Sequence, residues 1–399
     1  MNTIAQRPDD SPELLRKSAV YSVLDDICRD LELTEGQLSA ARTSYETVAE
    51  WLSKSTEPFL SNVSVYAHGS AGLGTSVKPL GREDFDVDLI CLAPDFTADR
   101  SPAELKRLVG DRLRENATYA RMLEEKKRCW RLNYAREFHL DISPTIVNLK
   151  CMNGGELVPD KKLRDWKPTN PSGYKALFEA RAKLKPLVRL TKSGYVSDQA
   201  NVEPFPSKPT GKGVLRRTVQ LLKRHRDIHF QDVTEEVAPI SIIITTLAAQ
   251  AYECCHRMFT FDTELDVLVA IVRMMPHFIE RRVVNGRVEL WVVNETTEGE
   301  NFADRWNTEP ARAQAFFVWH AKALSDFENA ASVEGIDRVT HGLEDILGSS
   351  VVRRVMDRRT EAISTARDAG KLFIGSAGGL TLSGVANAAP VPRNTHFGG

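Results

Sequence analysis

The amino-acid sequence predicts an α+β fold in which a small mixed sheet with its helices precedes a mainly helical second domain. Three observations carry this reading. Residues 63–92 hold two alternating apolar and polar runs joined by a Gly-rich connection, residues 128–146 read as a hairpin, and long stretches after residue 174 repeat their apolar residues at helical spacing. With 399 residues and 42% hydrophobic content, the chain can bury the cores of two domains. A first domain with an N-terminal long helix is expected over 1–165, a helical domain closing a cleft over 166–375, and a flexible tail over 376–399.

Residues up to about Asp9 are polar and expected to be loose. From 11 to 54 the apolar positions Val20, Val23, Leu24, Ile27 and Leu31, then Ala41, Tyr45, Val48 and Leu52, recur at helical spacing. Thr34 followed by Gln37 resembles a capping box that starts the second helix. This stretch reads as packing only.

The chemistry begins at Val63. An alternating run ends in Gly69-Ser70, Gly72, Gly74 and Thr75 follow, and a second run carries Asp86 and Asp88. In a strand, successive side chains point to opposite faces, so Asp86 and Asp88 share one face while Phe85, Val87 and Leu89 share the other. Two carboxylates so spaced can reach the same hard cations, and Mg²⁺ prefers carboxylates plus substrate phosphates to an all-protein cage. Phosphoryl-type transfer needs positioning and charge neutralisation, and a two-metal clamp serves both the attacking and the leaving oxygen. A third carboxylate is therefore expected nearby. Phe138, Leu140 and Ile142 alternate as a core face, which puts Asp141 on the opposite face with His139 and Ser143. Glycine at 69 lets backbone approach a phosphate, and Ser70 and Thr75 offer hydroxyls beside free amides. The pattern lacks the Gly-Lys-Ser/Thr ending of a Walker A loop. The layout is that of a nucleotidyltransferase.

Further along, residues 101–125 read as a helix opened by Ser101-Pro102, and the shift to Lys, Pro and Asn at 160–172 marks a crossover between domains. A helix over 175–187 places Tyr174 and Phe178 on one face, a spacing commoner in cores than in stacking platforms. Residues 191–213, rich in Pro, Ser and Lys, form a long connection. The helix at 215–230 is strongly basic, with Arg216, Gln220, Lys223 and Asp227 on one stripe beside Leu215, Val219 and Leu222. Such a face is ordinarily solvated, yet opposite a site that must hold a triphosphate Lys223 becomes the candidate phosphate clamp. Residues 239–252 start β-branched, but their length and Ala-rich second half favour a buried helix with Ser241 in its first turn, where a hydroxyl and free amides can meet an anion. Asn285-Gly286 marks a hairpin within 282–293, and 310–331 and 333–370 are again helical. From Ser376 the chain turns to Gly, Ala, Ser, Pro and Asn, ending in Phe397-Gly398-Gly399.

Composition sets limits. Lys+Arg 53 against Asp+Glu 54 leaves a net charge of −1, so stable binding to long nucleic acid is not expected. Six cysteines lack the paired spacing of a zinc site or a secreted disulfide framework, and Cys254-Cys255-His256 reads as a buried thiol pair on a helix. With no signal peptide and no long apolar span, a soluble, cytoplasmic protein without a membrane association is expected.

Taken together, Gly69-Ser70, Gly74-Thr75, Asp86 and Asp88, Asp141, residues 168–174, Lys223 and the 239–247 run resemble the bacterial CD-NTases. These relatives of cGAS and oligoadenylate synthetase make cyclic oligonucleotides in CBASS antiphage defence. The resemblance covers residues from about 60 to about 310. It implies a polymerase-β-like nucleotidyltransferase domain joined to a helical domain, with nucleotides in the cleft between them. Asp86, Asp88 and Asp141 would be catalytic and bind two Mg²⁺, with Mn²⁺ able to substitute. Gly69, Ser70 and Thr75 would hold the donor triphosphate, and Lys223 and Ser241 would complete the phosphate contacts. Asp141 is the candidate to help deprotonate the attacking hydroxyl, directly or through its metal. The resemblance is nearest to the branch of trinucleotide makers, which implies purines, ATP with or without GTP, and a downstream effector that reads the product. It also implies a use for the tail: a ubiquitin-activating-like partner joins the C-terminus of some such synthases to another molecule, and Gly399 would be the conjugation site. No zinc insertion like that of cGAS is visible, so DNA sensing is not carried over. Two other readings stay open: transfer of a single nucleotide to a small-molecule, protein or RNA-end acceptor, and a catalytically dead scaffold, against which stand the three carboxylates.

Overall fold

The computed structural model describes residues 12–81, 85–134, 138–160, 162–188, 212–233, 235–374, 380–381 and 389–391. The loose N-terminal residues, nearly all of the 191–213 connection and the Phe397-Gly398-Gly399 end with its conjugation site lie outside them.

In chain order the elements are α1 (Pro12–Leu31), α2 (Glu35–Ser53), β1 (Ser64–Ala67), α3 (Gly69–Leu73), β2 (Phe85–Leu92), α4 (Pro102–Arg114), α5 (Ala117–Met122), β3 (Leu123–Glu125), β4 (Trp130–Tyr134), β5 (Phe138–Val147), β6 (Glu156–Pro159), β7 (Trp166–Thr169) and α6 (Pro171–Ala182). There follow β8 (Leu187–Val188), α7 (Val214–His229), α8 (Ser241–Met258), β9 (Thr260–Phe261), α9 (Glu264–Met274), β10 (Glu280–Val284), β11 (Arg287–Trp291), α10 (Pro310–Ser332), α11 (Ile336–Leu347) and α12 (Ser349–Asp368), then three two-residue strands. The fold is α+β, as expected.

A seven-stranded mixed sheet runs β1-β2-β5-β4-β3, with the far end of β5 pairing β6 and β6 pairing β7. Only β2 and β5 run parallel within it, and their register sets Asp88 beside Asp141. Phe85, Val87, Leu89, Leu132, Leu140 and Ile142 point to one face and are buried with Val48, Leu52, Leu105 and Val109 of α2 and α4. Burying each such side chain contributes roughly 1.5–3 kcal/mol, which holds the acids on the opposite, open face. The sheet extends through the Lys- and Pro-rich stretch read as a crossover, since β7 pairs there with β6.

The predicted capping box is present, with Gln37 N–H donating to Thr34 Oγ1 and Thr34 N–H to Gln37 Oε1. The predicted helix over 101–125 is broken. Ser101 caps α4, but Asn116 accepts from the Thr118 and Tyr119 amides and starts a new helix, and Leu123–Glu125 then pair with β4. The 333–370 stretch divides into α11 and α12 at Gly348, whose φ of 97° suits glycine. The Asn285-Gly286 hairpin is as expected, both residues having positive φ. The 239–252 segment is the buried helix α8, with Cys255 sealed inside it.

Helix α7 corrects the expectation of a solvated basic face: Arg217, Gln220, Lys223 and Arg224 are all buried. Their charges and amides are met by groups distant in sequence. Gln220 Nε2 donates to Ser76 O at 3.1 Å, Lys223 Nζ to Thr75 O at 3.0 Å and an Arg224 amine to Lys78 O at 3.1 Å. Arg217 pairs with Asp25 and Glu32. Helix α1 shares this helical core through Val20, Val23, Leu24 and Ile27, although it precedes the sheet in sequence. Phe178 is core, as its spacing suggested, whereas Tyr174 sits at the edge of the central cavity with its hydroxyl 2.8 Å from Thr246 Oγ1. Among the described residues no helix is long and apolar enough to cross a membrane.

Candidate active site

A cavity of about 930 Å³ opens between the polar face of the sheet and helices α7 and α8. Gly69, Ser70, Thr75, Asp86, Asp88, Lys223 and Ser241 line it, so seven of the sequence-derived positions meet there. Asp141 stands beside Asp88 on the neighbouring strand, with its side chain turned to Arg131.

The three acids are held differently. Asp86 is half exposed, with His139 Nδ1 and an Arg131 amine each 3.1 Å from its Oδ1. Asp141 is gripped by the Arg131 guanidinium, Nε to Oδ1 and Nη2 to Oδ2, each at 2.7 Å. This bidentate clamp follows from the β4/β5 hairpin, which registers Arg131 opposite Asp141. Asp88 is partly buried, packed beneath the Gly69 backbone. Burial first, and then the charges of Asp141 and Asp86, push its carboxyl up to about 6. An ionised Asp88 is thus poorly compensated: the Lys223 ammonium and the Arg131 fork, which favour its charge, are outweighed by burial and by the other two carboxylates.

The loop before the acids is built to touch them. His68 N–H donates to Asp88 O at 2.9 Å, and Gly69 turns into α3 with φ of 60°. A Cβ at Gly69 would lie 2.1 Å from Asp88 Oδ2, so only glycine lets the loop reach the carboxylate. Ser70 Oγ lies 3.2 Å from Ser76 Oγ, and Gly74, φ 68°, ends the short helix. Burial drives the His68 imidazole down to about 4, which keeps it neutral near pH 7.

Across the cavity, burial and then Arg226 push the Lys223 ammonium down to about 8. Ser241 opens α8, whose N-terminus carries no side-chain cap. Its Oγ accepts from Arg226 Nη1 at 2.9 Å. Arg131 and Arg226 were not singled out in the sequence. The hairpin register could have shown the first, and the second lies three residues from Lys223, one turn along the same helix.

The donor set suits a hard divalent cation. Among the described residues no three acid, histidine or cysteine side chains are arranged to hold one ion, but Mg²⁺ needs only one or two carboxylates once substrate phosphates complete its shell. Burial and the neighbouring charges of Asp141 and Asp86 raise Asp88, and the negative charge is what such a cation would relieve.

Residues 19–181 match the family model of the Second Messenger Oligonucleotide or Dinucleotide Synthetase domain. The chain is 30% identical over 384 residues to a c-di-GMP synthase of Roseivirga ehrenbergii, covering 96% of this chain and 98% of that one. It is 24% identical over 380 residues to a cyclic dinucleotide synthase, CdnG, of Bradyrhizobium diazoefficiens, covering 90% and 86%. The solved structure of that CD-NTase in complex with GTP superposes with a TM-score of 0.67 at 21% identity, over 86% of this chain and 99% of that one. CdnC of E. coli MS115-1 with ATP gives 0.60 at 13% identity, over 83% and 98%.

Proposed function

The chain belongs to the bacterial CD-NTases, nucleotidyltransferases that make cyclic oligonucleotides, and on that premise we propose that it joins purine nucleoside triphosphates, GTP with or without ATP, into a cyclic dinucleotide that signals in antiphage defence. The observation carrying the catalytic part is the register that sets Asp88 beside Asp141 at the mouth of a nucleotide-sized cavity. The names of the two relatives support a dinucleotide over the trinucleotide branch expected from the sequence.

In the proposed reaction a ribose hydroxyl attacks the α-phosphate of a bound triphosphate, releasing pyrophosphate, and a second attack closes the ring. Asp86, Asp88 and Asp141 would hold Mg²⁺, which when bound neutralises charge on the phosphate and acidifies the attacking hydroxyl. Gly69 brings loop backbone against Asp88, and Ser70 and Thr75 give the loop its hydroxyls. Lys223, with the first turn of α8 and Ser241, meets the β- and γ-phosphates. Each oxygen of Asp141 keeps a lone pair beyond its bond to Arg131, so Asp141 can take the hydroxyl proton while the fork stays in place.

The test is a product assay with purified protein, Mg²⁺ and four nucleoside triphosphates, read by mass spectrometry after phosphatase treatment. A phosphatase-resistant cyclic dinucleotide containing guanine is expected. Pyrophosphate release only on addition of an acceptor would overturn the reading in favour of single transfer. In the same assay Lys223→Met should raise the KM for the triphosphate about 10- to 100-fold, the loss of one charged hydrogen bond of roughly 1.5–3 kcal/mol. An unchanged KM would remove Lys223 from the phosphate contacts.

A further inference from the structure

The cavity lining also includes two charged residues with no part in the metal or phosphate contacts, Arg128 from the β3–β4 turn and Glu300 from the loop after β11. Arg128 makes no hydrogen bond among the described residues, and its Nε is buried without a partner. A buried N–H left unpaired is costly, and the Arg128 side chain that carries it lines the cavity. The Glu300 carboxylate is held in place: Asn294 Nδ2 donates to its Oε2 at 2.7 Å, the Thr169 hydroxyl also hydrogen-bonds to it, and Asn294 N–H donates to Glu300 O at 3.1 Å. Asn294 itself cannot turn, since its Oδ1 accepts from Thr296 N–H at 3.0 Å and Thr296 Oγ1 at 2.7 Å. Arg128 and Glu300 lie close enough to attract, yet no ion pair joins them among the described residues. A fixed acceptor and a guanidinium that hydrogen-bonds to no described residue, attracted only at a distance by Glu300 and Asp160, thus line the same space across 172 residues of sequence.

Resting on the nucleotide-binding function above, we propose that Arg128 and Glu300 select guanine. Guanine offers N1–H and the N2 amino group as adjacent donors, which match a carboxylate, and O6 and N7 as adjacent acceptors, which match an arginine fork. The two sets lie on neighbouring edges of one planar base, so both residues engage it together. Adenine reverses the pattern: its N6 amino group meets the guanidinium, and its N1 lone pair meets the carboxylate.

The experiment compares wild type with Glu300→Gln, which keeps the shape, and with Arg128→Met. GTP and ATP compete at equal concentration in the Mg²⁺ reaction, and calorimetry reads the binding of each alone. Glu300→Gln should lower kcat/KM for GTP about 10- to 100-fold, the size of one lost bidentate base contact, while ATP use changes little. Arg128→Met should shift the ratio in the same direction. An unchanged GTP-to-ATP ratio in both variants, or an equal loss for both bases, would overturn the assignment. A wild type that makes no oligonucleotide would refute the function above, and the calorimetric preference for GTP and its loss in Glu300→Gln would still decide the roles of Arg128 and Glu300.

Discussion

Asp88→Asn should lower product formation on the order of 1000-fold or more, because in the proposed reaction an amide could not supply the charge that would hold Mg²⁺, and metal catalysis of this kind contributes several kcal/mol. The same change should make the metal-free protein more stable at pH 7. The Asp88 carboxyl is raised from 3.8 to about 6 in the fold by burial and by Asp141 and Asp86. A raised carboxyl favours the folded state only while protonated, so wild type loses stability as the pH climbs through 3.8 to about 6 and does not regain it above. Asparagine carries no such loss. The expected result is a higher melting temperature without metal, a flatter pH dependence from 4 to 7, and no further rise when Mg²⁺ and triphosphate are added. A variant that melts lower than wild type at pH 7 while retaining turnover would remove Asp88 from the site.

Gly69→Ala should be nearly as damaging, for a geometric reason. The new Cβ would stand 2.1 Å from Asp88 Oδ2, and the residue sits at φ 60°. Either the carboxylate or the loop must move, and a displacement near 1 Å costs about 100-fold in such sites. The left-handed conformation adds roughly 1–2 kcal/mol of strain. Gly286→Ala provides the control: its φ is 75°, but nothing lies within 4 Å of the added carbon. It should lose stability without losing turnover. Equal turnover of both variants in the product assay would show that the contact between Gly69 and Asp88 is incidental.

Much of the site was legible because it obeys short-range rules. Asp86 and Asp88 share a face by the two-residue period of a strand, and the alternation of Phe138, Leu140 and Ile142 exposes Asp141 by the same rule. Which strand lies beside which is a property of the sheet, so the pairing of Asp88 with Asp141 awaited the parallel register of β2 and β5. Arg131 could have been found from the hairpin, where it faces Asp141 ten residues further along the chain. Arg128 and Glu300 could not, since nothing local announces that a turn residue and a loop residue converge. Helix α7 misled for the same reason. Its cations looked solvated because the carbonyls that receive them, at Thr75, Ser76 and Lys78, belong to a strap about 150 residues earlier. The break at Asn116 was missed because an asparagine cap and a periodic helix interior compete within a few residues.

That strap has a consequence for how the chain can be recombined with its relatives. Residues 75–78 lie between the glycine loop and the acid strand in sequence, yet their carbonyls are fastened to α7, and Lys78 is tied back to α1 through Leu31 O at 2.7 Å and Asp30 O at 2.8 Å. A chimera cut at residue 165 would give α7 from one parent a strap and an α1 from the other. The inherited unit is discontinuous: α1, the strap and α7 travel together, and a graft that honours this carries three segments across while leaving the sheet behind.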